Sequence, residues 1–229
     1  MSQYSESRHE AVTRTYRGGS GPGLGRHPLQ EKAGVKQVRA VRTRRLILEA
    51  AAGEFDRHGY AGTPLACVTK SADISMGALT FHFPTKPALA DAVESSGIQL
   101  TRRVVGCVAE LPVSPLAKAR SLALSIARLL EECTMVRAAA RLTRERSDQN
   151  AWTNAWLTYM TELLGRAHEE GRLRSEVAPA AFAESVQFLI TGIEEYVRCT
   201  TRGAHGDSTA VRRAARTWDL LLYGALPSD

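Results

Sequence analysis

Lys36, Arg39, Arg42, Arg44 and Arg45 place five cations within ten residues, with no acid among them. A basic run just ahead of folded structure suits contact with phosphates or a minor groove; a solvated helix face is the competing reading. Hydroxyls then recur where helices begin, at Thr43, Thr63 and Ser75, and Lys86 opens a later helix. A hydroxyl there can cap the helix, and the terminus itself can bind phosphate, so both roles stay open for Thr43, Thr63 and Lys86. Between these points runs Met76-Gly-Ala-Leu-Thr-Phe-His-Phe. Helical periodicity turns Leu79 and Phe83 inward and leaves Met76, Gly77, Thr80 and His82 outside, with Gly77 and Ala78 small enough to let a backbone approach base edges.

The remaining chemistry-bearing residues do not assemble. Six histidines (His9, His27, His58, His82, His168, His205) and four cysteines (Cys67, Cys107, Cys133, Cys199) share no metal-ligand or catalytic spacing. No GxGxxG, P-loop or GxSxG occurs. The expectation is a non-enzyme with no cofactor and no metal, whose cysteines are reduced and sit in the core. No apolar run reaches membrane-spanning length, and a soluble cytoplasmic protein, associated with the nucleoid, is expected. The formal net charge of +6 favours a polyanionic partner but does not require one.

The elements that position these residues all read as helix, so the fold class is all-α. Residues 1–34 carry Gly-Gly-Ser-Gly-Pro-Gly and no apolar period, which predicts a flexible arm. A helix from about Thr43 to His58 buries Ile47, Ala51 and Phe55 and stops at Gly59. Thr63 and Pro64 open a second helix; Ala72-Asp73-Ile74 is a tight turn; Ser75 caps a third. Residues 35–84 thus form a helix-turn-helix domain. A connecting helix over 85–110, about 35 Å long, leads into a helical domain over 85–229. Its helices carry Leu122, Ile126 and Leu130, then Val136, Ala139 and Leu142, then Trp152, Trp156 and Leu163, then Val186 and Ile193, then Trp218 and Leu221. No alternating strand pattern and no repeat is present.

Thr43-Arg-Arg-Leu-Ile-Leu-Glu-Ala-Ala, Phe55, Gly59-Tyr60, Thr63, Val68, Ala72, Ile74-Ser75, Gly77-Ala78-Leu79, Phe81-His82-Phe83, Lys86 and Leu89 together resemble the N-terminal domain of TetR-type repressors. The Gly-Ala-Leu-x-Phe-His-Phe form is similar to the branch of γ-butyrolactone and related autoregulator receptors. Met135-Val-Arg-Ala-Ala-Ala-Arg-Leu, Trp156, the connection from Leu173 to Pro179 and Trp218-Asp-Leu-Leu-Leu-Tyr-Gly resemble that branch more loosely. The resemblance implies a homodimer that represses promoters until a small apolar signalling molecule, butyrolactone-, butenolide- or furan-like, enters the bundle. Two-fold symmetry then implies a pseudo-palindromic operator in double-stranded DNA. Control of antibiotic or signal biosynthesis is what the resemblance suggests.

The DNA contacts implied are Lys36, Arg39, Arg42, Thr43, Arg44, Thr63, Ser75, Met76, Gly77, Ala78, Thr80, His82 and Lys86. Two of them depart from the family, which usually has tyrosine in place of Thr80 and often lysine in place of Met76. The ligand set is Leu129, Cys133, Val136, Ala139, Trp156, Tyr159, Met160, Gln187, Leu189 and Ile190. Trp156 matches a pocket-lining tryptophan of the family, while helical spacing alone leaves pocket and core open. Phe182, Phe188, Ile193, Val197, Trp218, Leu221 and Leu222 are the expected dimer surface, and the helix from Lys86 is expected to be the one joint between the two sites. A same-fold regulator without a lactone ligand is the alternative.

Overall fold

The computed structural model describes residues 28–146, 150–200 and 209–225, with side chains from residue 37 onward. Among them are nine helices: α1 (Pro28–His58), α2 (Leu65–Ala72), α3 (Met76–His82), α4 (Lys86–Ala109), α5 (Pro115–Glu132), α6 (Thr134–Arg146), α7 (Ala151–Glu169), α8 (Pro179–Thr200) and α9 (Ala210–Ala225). The chain divides into two units, residues 1–40 and 41–229. In the first, the described part is the helical stretch from Pro28.

Local sequence explains most boundaries. Ser75, Thr85 and Ser114 each accept a hydrogen bond from the backbone N–H three residues on, capping α3, α4 and α5. Gly59 and Gly171 take positive φ at 72° and 68°, ending α1 and following α7. Two expectations fail. Helix begins at Pro28, so residues 28–34 are not part of an irregular arm; Gln, Glu, Lys, Ala, Val and Arg dominate the stretch after a proline at the first helical position, and all but valine favour helix. The arm's other residues, 1–27, lie outside the described residues, as does the glycine-bearing loop 201–208. Thr63 does not cap α2: its neighbour Pro64 occupies that position with no side-chain cap.

Within the second unit the apolar side chains form two cores. One gathers Ile47, Ala51 and Phe55 of α1, Val68, Leu79, Phe83, and Leu89, Ala90 and Val93 of α4. The other gathers Leu122, Ile126 and Leu130 of α5, Trp152, Trp156, Met160 and Leu163 of α7, and the inner faces of α8 and α9. Helix α6 serves both: Ala138 and Leu142 enter the first core, while Val136, Ala139 and Ala140 enter the second. The helix from Lys86 is therefore not the sole joint. It crosses α6 at Gly97, where an added Cβ would overlap Ala139 and lie 2.8 Å from the Met135 carbonyl oxygen. The cysteines also differ from expectation. All four are free, but Cys67, Cys107 and Cys199 are exposed, each beside its helix's apolar stripe rather than on it, and Cys133 is half-buried at the end of α5, packed against the second core.

Candidate nucleic-acid interface and bundle core

Helices α2 and α3 meet through Asp73, a non-glycine residue in the left-handed region at φ 51°. Its N–H reaches the Lys70 carbonyl at 3.3 Å, Ile74 N–H donates to the Thr69 carbonyl at 3.1 Å, and Ala78 N–H donates to Ser75 Oγ at 3.1 Å. This fixes α3 with Leu79 and Phe83 buried and its other face open. That face carries Met76, Gly77 and Thr80, with Ala78 half-buried at its edge. Phe81, at 81% exposure, is the most exposed residue of its kind in the motif, and its ring meets the half-buried His82 edge-on at 5.2 Å. Phe81 is absent from the residues singled out as contacts in the sequence. The signal was present: two positions from both Leu79 and Phe83, it must lie opposite the buried stripe.

The other sequence candidates divide. Arg39, Arg42 and Arg44 are exposed and Thr43 half-buried, with the Arg44 guanidinium over the Phe83 ring at 4.9 Å. The Lys36 side chain lies outside the described residues. Lys86 Nζ stands 4.6 Å over the Tyr60 ring, which tethers it. Thr80 Oγ1 turns back to the Met76 and Gly77 carbonyls at 3.1 and 3.2 Å. Thr63 is a correction: it is 1% exposed, and its hydroxyl bonds the Gly59 and Glu54 carbonyls at 2.7 and 3.2 Å. Closing the end of α1 uses up that hydroxyl, so it is not presented to a phosphate.

The two cores are fastened by polar groups along α6. Arg137 Nε donates to Asp56 Oδ2 at 2.9 Å, and its Nη1 reaches the Leu130 and Glu131 carbonyls. Arg141 Nη1 donates to the Asp56 carbonyl at 2.8 Å. Glu145 accepts from Tyr60 N–H and from Arg141 Nε, each at 2.6 Å. Arg146 reaches Asp91 and Glu94 of α4 at 2.7 Å and lies over Tyr60. On the far side Arg144 pairs with Glu194 of α8, which also holds Arg198. Burial raises the Glu94 carboxyl above its ordinary range, opposed by Arg146. Burial pushes Glu145 up too, but the hydrogen bonds from Arg141 and Tyr60 N–H outweigh it and hold Glu145 low.

Inside the bundle, two indoles of α7 meet different fates. Trp152 Nε1 donates to Thr101 Oγ1 at 3.0 Å. Trp156, 1% exposed and edge-on to Trp152 at 6.2 Å, has an Nε1 with no partner among the described residues, as does Trp218 of α9. Buried donors are seldom left so. Val136, Ala139, Met160 and Ile190 lie in the same core, with Leu129, Cys133, Tyr159 and Leu189 packed against it; Gln187 is half-buried. Leu129 also lines a groove of about 550 Å³ between α4, α5 and α9.

Four dimer candidates are corrected. Phe182, Ile193, Val197 and Trp218 are buried in their own protomer, Phe182 stacking on Trp218 at 5.6 Å. The exposed apolar face of α8 and α9 is instead Phe188, Leu220 and Tyr223, with Leu221 and Leu222 half-buried at its edge.

A short capped helix presented by a tight turn, on a helical bundle with its own core, defines the class of helix-turn-helix regulators. Comparison agrees: the profile of bacterial regulatory proteins of the tetR family matches residues 47–93. Residues 47–93 are thus a tetR-family domain. The chain is 30% identical over 165 residues to the A-factor receptor protein of Streptomyces griseus, a match that covers 69% of this chain and 56% of that protein. The chain thus spans little more than half the length of that relative. A crystal structure of a γ-butyrolactone receptor, described as ArpA-like, superposes with a TM-score of 0.70 at 29% identity, covering 82% of this chain and 90% of the other. CprB of Streptomyces coelicolor, solved in complex with its operator sequence, superposes with a TM-score of 0.64 at 28% identity, covering the same shares.

Proposed function

We propose that this chain is a ligand-released repressor: a dimer that grips a pseudo-palindromic operator through α3 and lets go when a γ-butyrolactone-like molecule enters the bundle. The observation that carries this reading is the unpartnered indole N–H of Trp156. A buried donor left unpaired costs about 1–3 kcal/mol, and a lactone carbonyl arriving beside it would recover much of that. Apolar neighbours such as Val136, Met160 and Ile190 suit the rest of such a ligand. The relatives' names, an A-factor receptor and a γ-butyrolactone receptor, support the same ligand class.

Release requires the ligand to favour one arrangement of the heads over the other. Helices α4 and α6 touch both cores, so a shift of the bundle around Trp156 is transmitted through Gly97 and through the α6 arginines. Phe188, Leu220 and Tyr223 supply the dimer surface. On DNA, Phe81 and Met76 offer apolar contact to thymine methyls in place of a longer polar grip. The test is a gel shift on the DNA upstream of the protein's own gene, with and without a synthetic γ-butyrolactone. A shift abolished by the lactone is expected; a shift that no lactone releases refutes the ligand class, and no shift refutes the repressor reading.

A further inference from the structure

A second cleft, of about 490 Å³, opens where the end of α1 faces the start of α6 and the end of α8. It is separate from the Trp156 core, and charged and polar residues line it, Asp56, Arg57, His58, Thr134, Arg137 and Arg198, with Gly53 at its wall and much of the exposed surface given by their carbon stems. Three guanidiniums and an imidazole thus face one carboxylate. That carboxylate is already taken, since Asp56 Oδ2 accepts from Arg137 Nε at 2.9 Å. The acids that steady the other bases are not in the lining. Glu54 holds Arg57 at 2.6 Å, and Glu194 holds Arg198 at 2.6 Å. Each guanidinium is thus held in place at the cleft by a carboxylate. Arg137 is fixed further by Thr134 Oγ1 at 3.0 Å and by the Leu130 carbonyl at 2.9 Å. Guanidiniums oriented in this way recognise carboxylate and phosphate oxygens.

Gly53 is an independent sign. It lies in the interior of α1, where glycine costs about 1 kcal/mol against alanine. No neighbouring chain demands it: a Cβ added there meets only Arg57 Nη2, at an ordinary 3.7 Å. Its φ is not in the left-handed region either. What the missing side chain does is leave the cleft open.

We propose that this cleft binds a small metabolite carrying oxyanion groups, a phosphate monoester or a dicarboxylate. Its occupant would touch α1 of the first core and α6 and α8 of the second, and so clip the two together. The test uses the full chain, inorganic phosphate and succinate as probes, and sodium chloride at matched ionic strength, read by calorimetric titration and thermal unfolding. Saturable heat and a saturable rise in the unfolding midpoint are expected with phosphate, succinate or both, and not with chloride; the responding probe identifies the oxyanion class. Arg57→Gln should weaken that binding at least tenfold. Gly53→Leu should fill the cleft and abolish the response while itself raising the midpoint, because leucine favours helix over glycine. Arg103→Gln, outside the cleft, should leave it unchanged. No response beyond chloride overturns the proposal, and so does a response that survives both Arg57→Gln and Gly53→Leu.

Discussion

Gly97→Ala is a one-carbon probe of the joint between α4 and α6. The new Cβ would overlap Ala139 Cβ and stand 2.8 Å from the Met135 carbonyl oxygen. Carbon atoms rest at about 3.5–4.0 Å, so the helices must part by roughly 1 Å. Overpacking of this kind costs about 1–3 kcal/mol. Alanine returns about 1 kcal/mol in helix propensity, leaving a net loss of about 0–2 kcal/mol. Gly106 gives the control on the same helix: an added Cβ meets nothing within 4 Å, so Gly106→Ala should stabilise by up to about 1 kcal/mol. Urea unfolding at fixed protomer concentration measures both, read from midpoints at constant slope. Combining Gly97→Ala with Ala139→Gly should recover part of the loss, with a coupling of about 1 kcal/mol, because the Met135 carbonyl stays in place. If Gly97→Ala stabilises as much as Gly106→Ala, the crossing is loose and the reasoning fails.

Arg146→Met should cost about 1–2 kcal/mol in urea unfolding at neutral pH. Glu94 loses its partner at 17% side-chain exposure, while the contribution of Asp91, 65% exposed, is small. Glu94 is held above its ordinary value, so its ionisation opposes folding: stability from this group is greatest below pH 4.5 and declines as pH rises through the raised value. The Arg146→Met deficit should therefore shrink on acidification towards pH 4.5. Glu145, held low, acts the other way: its contribution is present above pH 4.5 and lost as pH falls below, so Glu145→Gln should destabilise at neutral pH and become neutral in acid. Asp73→Gly should be neutral or slightly stabilising and Asp73→Val destabilising by about 1–2 kcal/mol, since φ 51° suits glycine and not a β-branched residue. Thr80→Tyr should tighten operator binding in gel shifts, whereas Phe81→Ala should weaken it without flattening its salt dependence, because an apolar contact displaces no counterions.

The sequence was most informative where one residue's chemistry sets a local outcome. Ser75 and Thr85 cap the helices that follow them, and the inward positions of Leu79 and Phe83 follow from spacing alone. It was least informative where two outcomes share a pattern. Helix α8 has apolar residues on two faces, and periodicity cannot say that Phe182, Ile193 and Val197 turn into the protomer while Phe188 turns out. Thr63 has a cap's sequence context, but its hydroxyl closes the end of α1 instead. The tie between α6 and the first core was invisible for another reason: Arg137 with Asp56 and Glu145 with Tyr60 are separated by 81 and 85 residues. An unpartnered donor such as Trp156 Nε1 is likewise a property of the packed molecule and leaves no trace in spacing.

The central claim rests on that donor, and Trp156→Phe removes it while keeping an aromatic ring. Deleting an unpaired buried N–H relieves a cost of about 1–3 kcal/mol, which offsets the cavity left by the smaller ring, so unfolding stability should stay within about 1 kcal/mol of the parent. Affinity for a γ-butyrolactone, measured by calorimetric titration on both proteins, should fall by about ten- to a hundredfold, the equivalent of roughly 1.4–2.8 kcal/mol. Undiminished lactone affinity in Trp156→Phe, or a parent protein that binds no lactone, would contradict the account.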